Sequence, residues 1–321
     1  MLRHLNMPRW ETVLYRPAVG VPTLAALVVA VFAIALSGPL IAYAAAPALA
    51  IACWRNIFAA GALVPVAAGT RRAELARLAG RSGRPVAIAS LLAGLALAVH
   101  FATWVPSVKL TGIAAATALV ATQPVWQGLI ALMQGRRLPT VVWIGIGLAV
   151  GGAILATGAD IGFSGRAFAG DLLALAGGIS GAVYTAYGER ARTATSTMIY
   201  TSVCYTACAL LLLGVCLVAR VPLGGYAATT WLAIAGMAAG PHLLGHSMFN
   251  YALKRVSATT VAVLILLEVP GAALIGWLWL GQTPRLNQVP GLALLVLGAA
   301  VVVVGAGHDR PSVVSTIDEE L

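Results

Sequence analysis

Ten apolar stretches of about 20 residues, separated by short polar or Gly/Pro-rich breaks, occupy most of this 321-residue chain. They cover approximately 22–43, 47–68, 85–106, 111–133, 140–158, 169–187, 196–218, 228–250, 257–280 and 287–306. An apolar helix of about 20 residues spans the ~30 Å hydrocarbon core of a bilayer and satisfies its own backbone hydrogen bonds there. The stretches therefore predict an all-α polytopic membrane protein with ten transmembrane helices and little length left for a soluble domain.

Charged residues make up only 9% of the chain, and the positive ones concentrate on one side of the predicted spans. Fifteen of the 20 Lys and Arg residues lie in the termini and in every second loop, five of them in loop 69–84. Four lie on the opposite side, and Arg55 alone lies inside a span. The positive-inside rule then places both termini in the cytoplasm and the protein in the cell (inner) membrane. A net charge of +10 distributed in this way indicates topology and not nucleic-acid binding.

The sequence repeats itself at an offset of 146 residues. The aligned pairs are His100 with His246, Lys109 with Arg255, Thr111 with Ser257, Pro124 with Pro270, Gly135 with Gly281, Gly145 with Gly291 and Gly152 with Gly298. Five spans per half is an odd number, so the halves insert in opposite orientations. We expect a cytoplasmic segment 1–21, a first five-helix repeat 22–160, a second, inverted repeat 168–306 and a cytoplasmic tail 307–321.

Interrupted helices at matching positions of two inverted repeats are typical of secondary transporters, and Pro124 and Pro270 form such a pair. We predict a bend at each of them, with a plain packing kink as the alternative. Small-residue pairs predict close helix contacts at Gly147 with Gly151, Gly177 with Gly181 and Gly236 with Gly240.

Two matching segments resemble the paired domains of EamA-type transporters, which belong to the drug/metabolite transporter superfamily. They run from His100-Phe-Ala-Thr-Trp104 through Lys109, Ala114-Ala115-Ala116 and Pro124, and from His246 through Asn250 and Lys254 to Glu268-Val269-Pro270. The resemblance covers about 22–306. It implies ten helices, cytoplasmic termini, a central cavity lined mainly by spans 1, 3, 4, 6, 8 and 9, and export of amino acids or other metabolites. Many family members have Glu after Gly135 and Gly281, where this chain has Arg136 and Gln282, so a role of those glutamates does not transfer.

Ionisable side chains within a membrane span are expensive and mark candidate functional sites. Counting 1.5 Å per residue places Arg55 and Glu268 at a similar depth, about 12–13 Å from the outer face. Arg55 is a candidate to bind a substrate carboxylate, and Glu268 a candidate to take up a proton, because burial favours the neutral acid. The alternatives are a permanent ion pair between them, or an Arg55 that only joins helices.

The histidines and aromatic residues give further candidates. By the same rise count His246 lies about 13 Å deeper than Glu268, which argues against an acid–base pair of the two. His100 lies toward the outer end of span 3 and His246 toward the inner end of span 8, so we expect them to act as paired gates or hydrogen-bond anchors and not to touch one small substrate. His242, His246 and Asn250 share a helix face but have no third metal ligand, so no metal site is predicted. The substrate-binding candidates are Arg55, Trp104, Gln123, Trp126, Tyr184, Asn250 and Glu268.

These observations favour a secondary active transporter that exports small metabolites, amino acids or related amphipathic compounds, by alternating access. The alternatives are a multidrug or cationic-compound exporter of the same fold, a membrane-embedded enzyme and a passive channel. We expect no enzymatic activity and no cofactor, since the chain has no phosphate-binding Gly-rich loop, and a proton or substrate gradient as the energy source. The expected partners are a small-molecule substrate and the lipid bilayer, in a monomer or homodimer.

Overall fold

The computed structural model describes residues 20–111, 113–157, 165–280, 286 and 288–308, and its regular secondary structure is helical throughout these ranges. The predicted segment 1–21 and tail 307–321 lie almost wholly outside the described residues, as does Gln282. The helices are α1 (Val21–Ala35), α2 (Ser37–Tyr43), α3 (Ala48–Thr70), α4 (Arg72–Ala79), α5 (Arg84–Thr111), α6 (Ile113–Val120), α7 (Gln123–Met133), α8 (Thr140–Thr157), α9 (Gly165–Arg192), α10 (Thr197–Val218), α11 (Ala228–Met237), α12 (Ser247–Ala252), α13 (Ala258–Ile265), α14 (Glu268–Leu280) and α15 (Val289–His308). A π-helix, Ala238–His246, joins α11 to α12.

Within the described residues, seven helical segments are long and apolar enough to cross a membrane. Two of the other three predicted spans contain shorter apolar helices, Thr140–Ala156 and Ala258–Gly271. The third is the composite of α11, the π-helix and α12. The all-helical membrane architecture is therefore confirmed, whereas the count of ten spans is not, because a helix break, a π-helix and the limits of the described ranges divide or shorten these segments.

Four helices end just before a proline. α1, α6 and α11 end four residues before Pro39, Pro124 and Pro241, and α13 ends five residues before Pro270. Proline has no N–H to donate to the carbonyl four residues earlier, and its ring clashes with that carbonyl, so the helical hydrogen-bond ladder stops there. Two of the breaks coincide with the proline pair that the repeat marks, and the repeat gives no sign of the other two.

Helix packing fits two repeats related by inversion. α3 packs against α10 and α8 against α15, so spans 2 and 5 each contact their counterparts, spans 7 and 10. α5 packs along most of α9, and the corresponding contact in the other half joins α1 to the π-helix and α12. This contact between unlike spans therefore has a counterpart in the other half.

Glycines allow α8 and α15 to approach closely. A Cβ at Gly152 would lie 2.3 Å from the backbone N of Leu295, and a Cβ at Gly298 would lie 2.3 Å from that of Ala149. Gly145 and Gly291 face similar obstruction, and the repeat aligns these four glycines in two pairs. The close contact predicted for Gly147 and Gly151 is not formed, since nothing described lies within 4 Å of a Cβ built at either position.

Glu74 connects α4 to the start of α10. Its Oε1 accepts hydrogen bonds from Thr195 Oγ1 (2.8 Å) and from the backbone N of Ser196 (2.6 Å), the residue that caps α10. Partial burial disfavours the carboxylate, but the hydrogen bonds from Ser196 and Thr195 outweigh this effect and hold the pKa of Glu74 below its ordinary value. The charged form therefore stabilises this end of the bundle.

We expect Glu74→Gln to lower the melting temperature by a few degrees at pH 7, since the lost charge-assisted hydrogen bonds are worth about 1 kcal/mol at a partly exposed site. A carboxyl with a lowered pKa contributes stability above its unfolded value of about 4.3, and this contribution is lost as the pH falls through the lower folded-state value. Thermal unfolding at pH 7 and pH 3 checks the sign: the difference in melting temperature between the two proteins should be smaller at pH 3. Equal melting temperatures of the wild type and the variant at pH 7 would show that the Glu74 carboxylate does not stabilise the protein.

Candidate functional site

A central cavity of about 60 Å³ lies between helices of both halves. Its lining comes from span 2 and from the six spans that the family resemblance implies: Ile34, Ser37, Arg55, His100, Phe101, Trp104, Thr117, Val120, Gln123, Gly181, Tyr184, His246, Ile265 and Glu268. One water molecule needs about 10–15 Å³ of such space, so the cavity has room for about four to six waters. Helices must therefore move apart before a metabolite fits.

A cavity-lining residue lies at each of the four helix interruptions, which are the breaks between α1 and α2, α6 and α7, and α13 and α14, and the π-helix between α11 and α12. Ser37 and Glu268 are the first residues of α2 and α14, Gln123 is the first of α7, and His246 is the last of the π-helix. Interrupted helices with freed backbone groups are tolerated in a membrane where they line a polar cavity, and π-helical turns occur frequently at functional sites. The prolines thus shape the backbone at the points where polar side chains enter the cavity.

Arg55 is the permanent cation of this cavity. It lies on α3, is 1% exposed, and its Cζ is 4.4 Å from the centroid of the Phe101 ring. Among the described residues, none of its three guanidinium nitrogens has a hydrogen-bond partner. A buried charge without hydrogen bonds costs several kcal/mol, whereas an arginine that joined helices would bond to backbone carbonyls. The geometry leaves five N–H donors for a group that enters the cavity.

Glu268 lines the same cavity from the first turn of α14, as the depth estimate predicted. No hydrogen bond joins Glu268 to the Arg55 guanidinium, because the nitrogens of that group have no partner among the described residues. The permanent ion pair considered from the sequence therefore has no hydrogen bond between its two groups in this conformation. The two groups instead provide opposite charges around one space.

His100 is fixed between α5 and α9. Its Nδ1 lies 2.8 Å from the Gly177 carbonyl, and since a carbonyl only accepts, Nδ1 carries the proton, which leaves Nε2 of the neutral ring as an acceptor. Trp104 stacks on the imidazole with centroids 5.9 Å apart. Glycine is needed on the facing helix, because a Cβ at Gly181 would lie 2.9 Å from Gln123 Oε1 and 3.2 Å from His100 Nδ1. The close contact predicted for the Gly177 and Gly181 pair is confirmed.

His246 lines the cavity together with His100, so the expectation that the two rings are too far apart to face one substrate is wrong. Phe101 lies between them, with its ring centroid 5.1 Å from that of His100 and 5.7 Å from that of His246. The rise count measured backbone height along straight α-helices. Side chains reach several ångströms, and the nine residues that end at His246 form a π-helix with a different rise.

His242 lies beside the cavity and was not predicted as a site residue. It is fully buried, neither ring nitrogen has a hydrogen-bond partner among the described residues, and its ring centroid is 4.2 Å from that of Tyr205. No group of three or more His, Cys, Asp or Glu side chains in the described part of the chain could hold a metal ion. His246 of the same π-helix lines the cavity, whereas the His242 ring packs against the rings of Phe101 and Tyr205 beside it.

Two predicted substrate-binding residues do not line the cavity. Asn250 is buried, and its Nδ2 donates to the hydroxyl oxygen of Tyr184 at 2.6 Å, so it orients a tyrosine that does line the cavity. Trp126 donates through Nε1 to Thr122 Oγ1 at 3.1 Å, one turn earlier around the break between α6 and α7. Asn250 therefore reaches the cavity only through Tyr184, and the hydrogen bond of Trp126 leads to Thr122, which is not one of the cavity-lining residues.

Arg136, which follows α7, pairs with a glutamate of span 6. Its Nη2 lies 3.0 Å from Glu189 Oε2, while Glu189 Oε1 accepts a hydrogen bond from the backbone N of Ala258 at 3.2 Å. These contacts join spans 4, 6 and 9 at the ends of α7 and α9 and the start of α13. The Arg136–Glu189 ion pair thus joins helices at the end of the bundle that the positive-inside rule assigns to the cytoplasm.

The cavity also contains residues for which the sequence gives little signal. Ser37 and Thr117 are single hydroxyls in apolar stretches, a pattern that is common in membrane helices. Phe101 aligns with Ser247 in the repeat, so symmetry does not mark it. Its position between Arg55 and the histidines depends on how α3, α5 and the π-helix pack, which no local pattern encodes.

The helical bundle, its inverted packing and its charged internal cavity define a multi-pass membrane protein of the transporter class. The sequence model of the EamA-like transporter family matches residues 21–158 and 168–304, and the chain belongs to that family. A solved structure described only as "Crystal structure of protein" superimposes with a TM-score of 0.73 at 20% identity, over 89% of this chain and 98% of that one, a likeness of fold alone. No curated protein matches the chain.

Proposed function

We propose that this protein is a secondary active transporter that exports amino acids or related amphipathic metabolites by alternating access. The observation that carries the proposal is the Arg55 guanidinium, buried without hydrogen-bond partners in a cavity that Glu268 also lines. A substrate carboxylate would bond to Arg55, and an ammonium group would lie near Glu268. Each charge would then lose its desolvation penalty only while substrate is bound.

The arrangement of the helices supports alternating access. The proposed repeats, 22–160 and 168–306, contribute lining residues from both sides of the cavity, so rocking of one half against the other would open it to each side in turn. The concentration of positive charge supports an inner-membrane protein with both termini in the cytoplasm. In this orientation the Arg136–Glu189 contact lies on the cytoplasmic side.

Counterflow in proteoliposomes tests the proposal. Vesicles are preloaded in turn with amino acids, cationic aromatic drugs and nucleotide precursors, and uptake of the labelled compound is followed with and without an imposed pH gradient. Saturable exchange of zwitterionic compounds supports the proposal. Exchange of cationic drugs alone would favour the multidrug alternative, for which the stacked Trp104 and the half-buried Glu268 are the relevant residues. Flux without saturation would indicate a channel.

We expect Glu268→Gln to abolish the response of transport to an imposed pH gradient, and to weaken exchange at equal pH for substrates that carry an ammonium group, since a neutral amide has no charge to pair with it. The amide keeps the shape and hydrogen-bonding capacity of the protonated acid but cannot release a proton. Counterflow at equal pH and gradient-driven uptake measure the two properties separately. A variant that responds to the gradient as the wild type does would exclude Glu268 as the proton carrier.

A further inference from the structure

The imidazole of His242, behind the wall of the central cavity, has unused hydrogen-bonding capacity. The residue is fully buried, and neither ring nitrogen has a hydrogen-bond partner among the described residues. A neutral imidazole has one N–H donor and one acceptor, and leaving such groups unpaired in the interior destabilises a fold. An apolar side chain would fill this position without that penalty, so packing alone does not explain a histidine here.

Hydroxyl groups lie beside this imidazole. The ring centroid of His242 is 4.2 Å from that of Tyr205. The Tyr205 hydroxyl oxygen lies 3.2 Å from Ser247 Oγ and accepts a hydrogen bond of 3.4 Å from Asn250 Nδ2. His242, Tyr205 and Ser247 therefore gather donors and acceptors without a permanent charge at one buried position.

Two cavity-lining rings contact His242, and one of them belongs to the other half of the protein. These rings are Phe101, with its centroid 5.7 Å from that of His242, and His246, at 5.5 Å. Phe101 lies on α5 of the proposed first repeat, whereas the π-helix that carries His242 and His246 lies in the second. Rocking of one half against the other would draw Phe101 away from His242 and extend the cavity of about 60 Å³ toward it.

The same phenylalanine ring connects His242 to the charged part of the cavity. Its centroid is 4.4 Å from the Arg55 guanidinium carbon on one side and 5.7 Å from the His242 ring centroid on the other. A small amino acid that takes the place of this ring would therefore reach Arg55 with its carboxylate and His242 with its side chain.

We propose that His242, with the hydroxyls of Tyr205 and Ser247, forms the subsite for the side chain of the transported amino acid, and that this side chain carries an uncharged hydroxyl or carboxamide. The inference rests on the proposed function, in which Arg55 and Glu268 bind the carboxylate and the ammonium group. A hydroxyl or carboxamide both donates and accepts, and so it matches the two nitrogens of the imidazole. An apolar side chain would leave them unpaired in the bound state, and sites with unpaired buried polar groups reject such analogues.

Counterflow competition with isosteric amino acids tests the subsite. Threonine has a hydroxyl where valine has a methyl group, and asparagine and leucine form a second pair of similar size. Each unlabelled compound competes with the labelled amino acid that the proteoliposome screen identifies. We expect threonine and asparagine to inhibit at concentrations at least tenfold lower than valine and leucine do, since the apolar analogues leave the buried imidazole unpaired.

His242→Leu should bring the two members of each pair to similar inhibitory concentrations. The matched control His242→Gln keeps a donor and an acceptor in the side chain and should retain part of the preference. Melting temperatures in detergent identify folded variants, and Ser247→Ala, a smaller change in the same subsite, should lower the preference even if His242→Leu does not fold.

The wild type distinguishes failure of this inference from failure of the proposed function. Equal inhibition within each pair would overturn the subsite while amino-acid transport stands, whereas no inhibition by any amino acid would overturn both. A preference that folded His242→Leu and Ser247→Ala proteins keep in full would overturn the assignment of the subsite to these residues.

Discussion

Arg55→Met should lower counterflow of carboxylate-bearing substrates about 30-fold or more while the melting temperature stays equal to or rises above that of the wild type. Removing one partner of a buried, hydrogen-bonded charge pair costs about 2–5 kcal/mol of binding, which corresponds to a factor of roughly 30 to several thousand. Without substrate, however, the guanidinium has no hydrogen-bond partner among the described residues, so its replacement removes a buried charge that no hydrogen bond stabilises. Methionine also packs well against the Phe101 ring.

Counterflow and melting temperature together show whether Arg55 binds substrate or only supports the helix bundle. Arg55→Lys is the matched variant, because it keeps the charge but loses the planar, bidentate donor arrangement, and it should retain part of the transport. The same loss for substrates without a carboxylate, accompanied by a lower melting temperature, would show that Arg55 only supports the bundle.

Gly298→Leu should prevent α15 from packing against α8 and leave little folded protein. Its Cβ would lie 2.3 Å from the backbone N of Ala149 and 2.8 Å from the Cα of the same residue, and no side-chain rotation relieves a clash with backbone. Overpacking a well-packed contact costs about 1–3 kcal/mol even when side chains can yield, and more is expected here. Fluorescence-detected size exclusion and a thermal melt measure the monodisperse fraction and its stability.

Gly147→Leu is the control on the other side of α8. Nothing described lies within 4 Å of a Cβ at Gly147, which is exposed, and leucine has a helix propensity about 0.8–1 kcal/mol more favourable than that of glycine. The control should therefore be as stable as the wild type or slightly more stable. A well-folded Gly298→Leu protein, or equal losses in both variants, would contradict the account of the α8–α15 contact.

The membrane architecture could be predicted from sequence because a bilayer admits few solutions. Apolar stretches of about 20 residues must form helices there, and the 146-residue repeat marked both the packing glycines and one pair of helix-breaking prolines. The helix breaks before Pro39 and Pro241 could not be predicted, since neither proline aligns with another proline in the repeat. The close helix contact predicted from the spacing of Gly147 and Gly151 was wrong, because a small-residue pattern does not say which face of the helix meets a neighbour.

The charged part of the candidate site was more predictable than its aromatic part. Arg55 and Glu268 stand out because ionisable groups in a span are rare, and a simple rise count was sufficient to bring them to similar depth. The same count failed for His246, where a π-helix changes the rise, and it gave no information on Phe101, whose position depends on three helices packing together. Depth along one helix is a local property, whereas the direction of a side chain in a bundle is not.

The most direct test of the central claim, that the cavity is the substrate site of an alternating-access carrier, is the accessibility of one cavity residue from both sides of the membrane. Ser37 is 2% exposed, lines the cavity and differs from cysteine by one atom. Ser37→Cys would be introduced after serine replaces the native cysteines, Cys53, Cys204, Cys208 and Cys216. A membrane-impermeant thiol reagent is then applied to right-side-out and inside-out vesicles, with and without the substrate found by counterflow.

In an alternating-access carrier the cysteine reacts from either side, substrate protects it from both sides, and a substrate gradient which speeds labelling from one side slows it from the other. Labelling from both sides at rates that substrate does not change would contradict alternating access and indicate a continuous pore. Labelling confined to one side during active exchange would contradict the placement of the substrate site in this cavity.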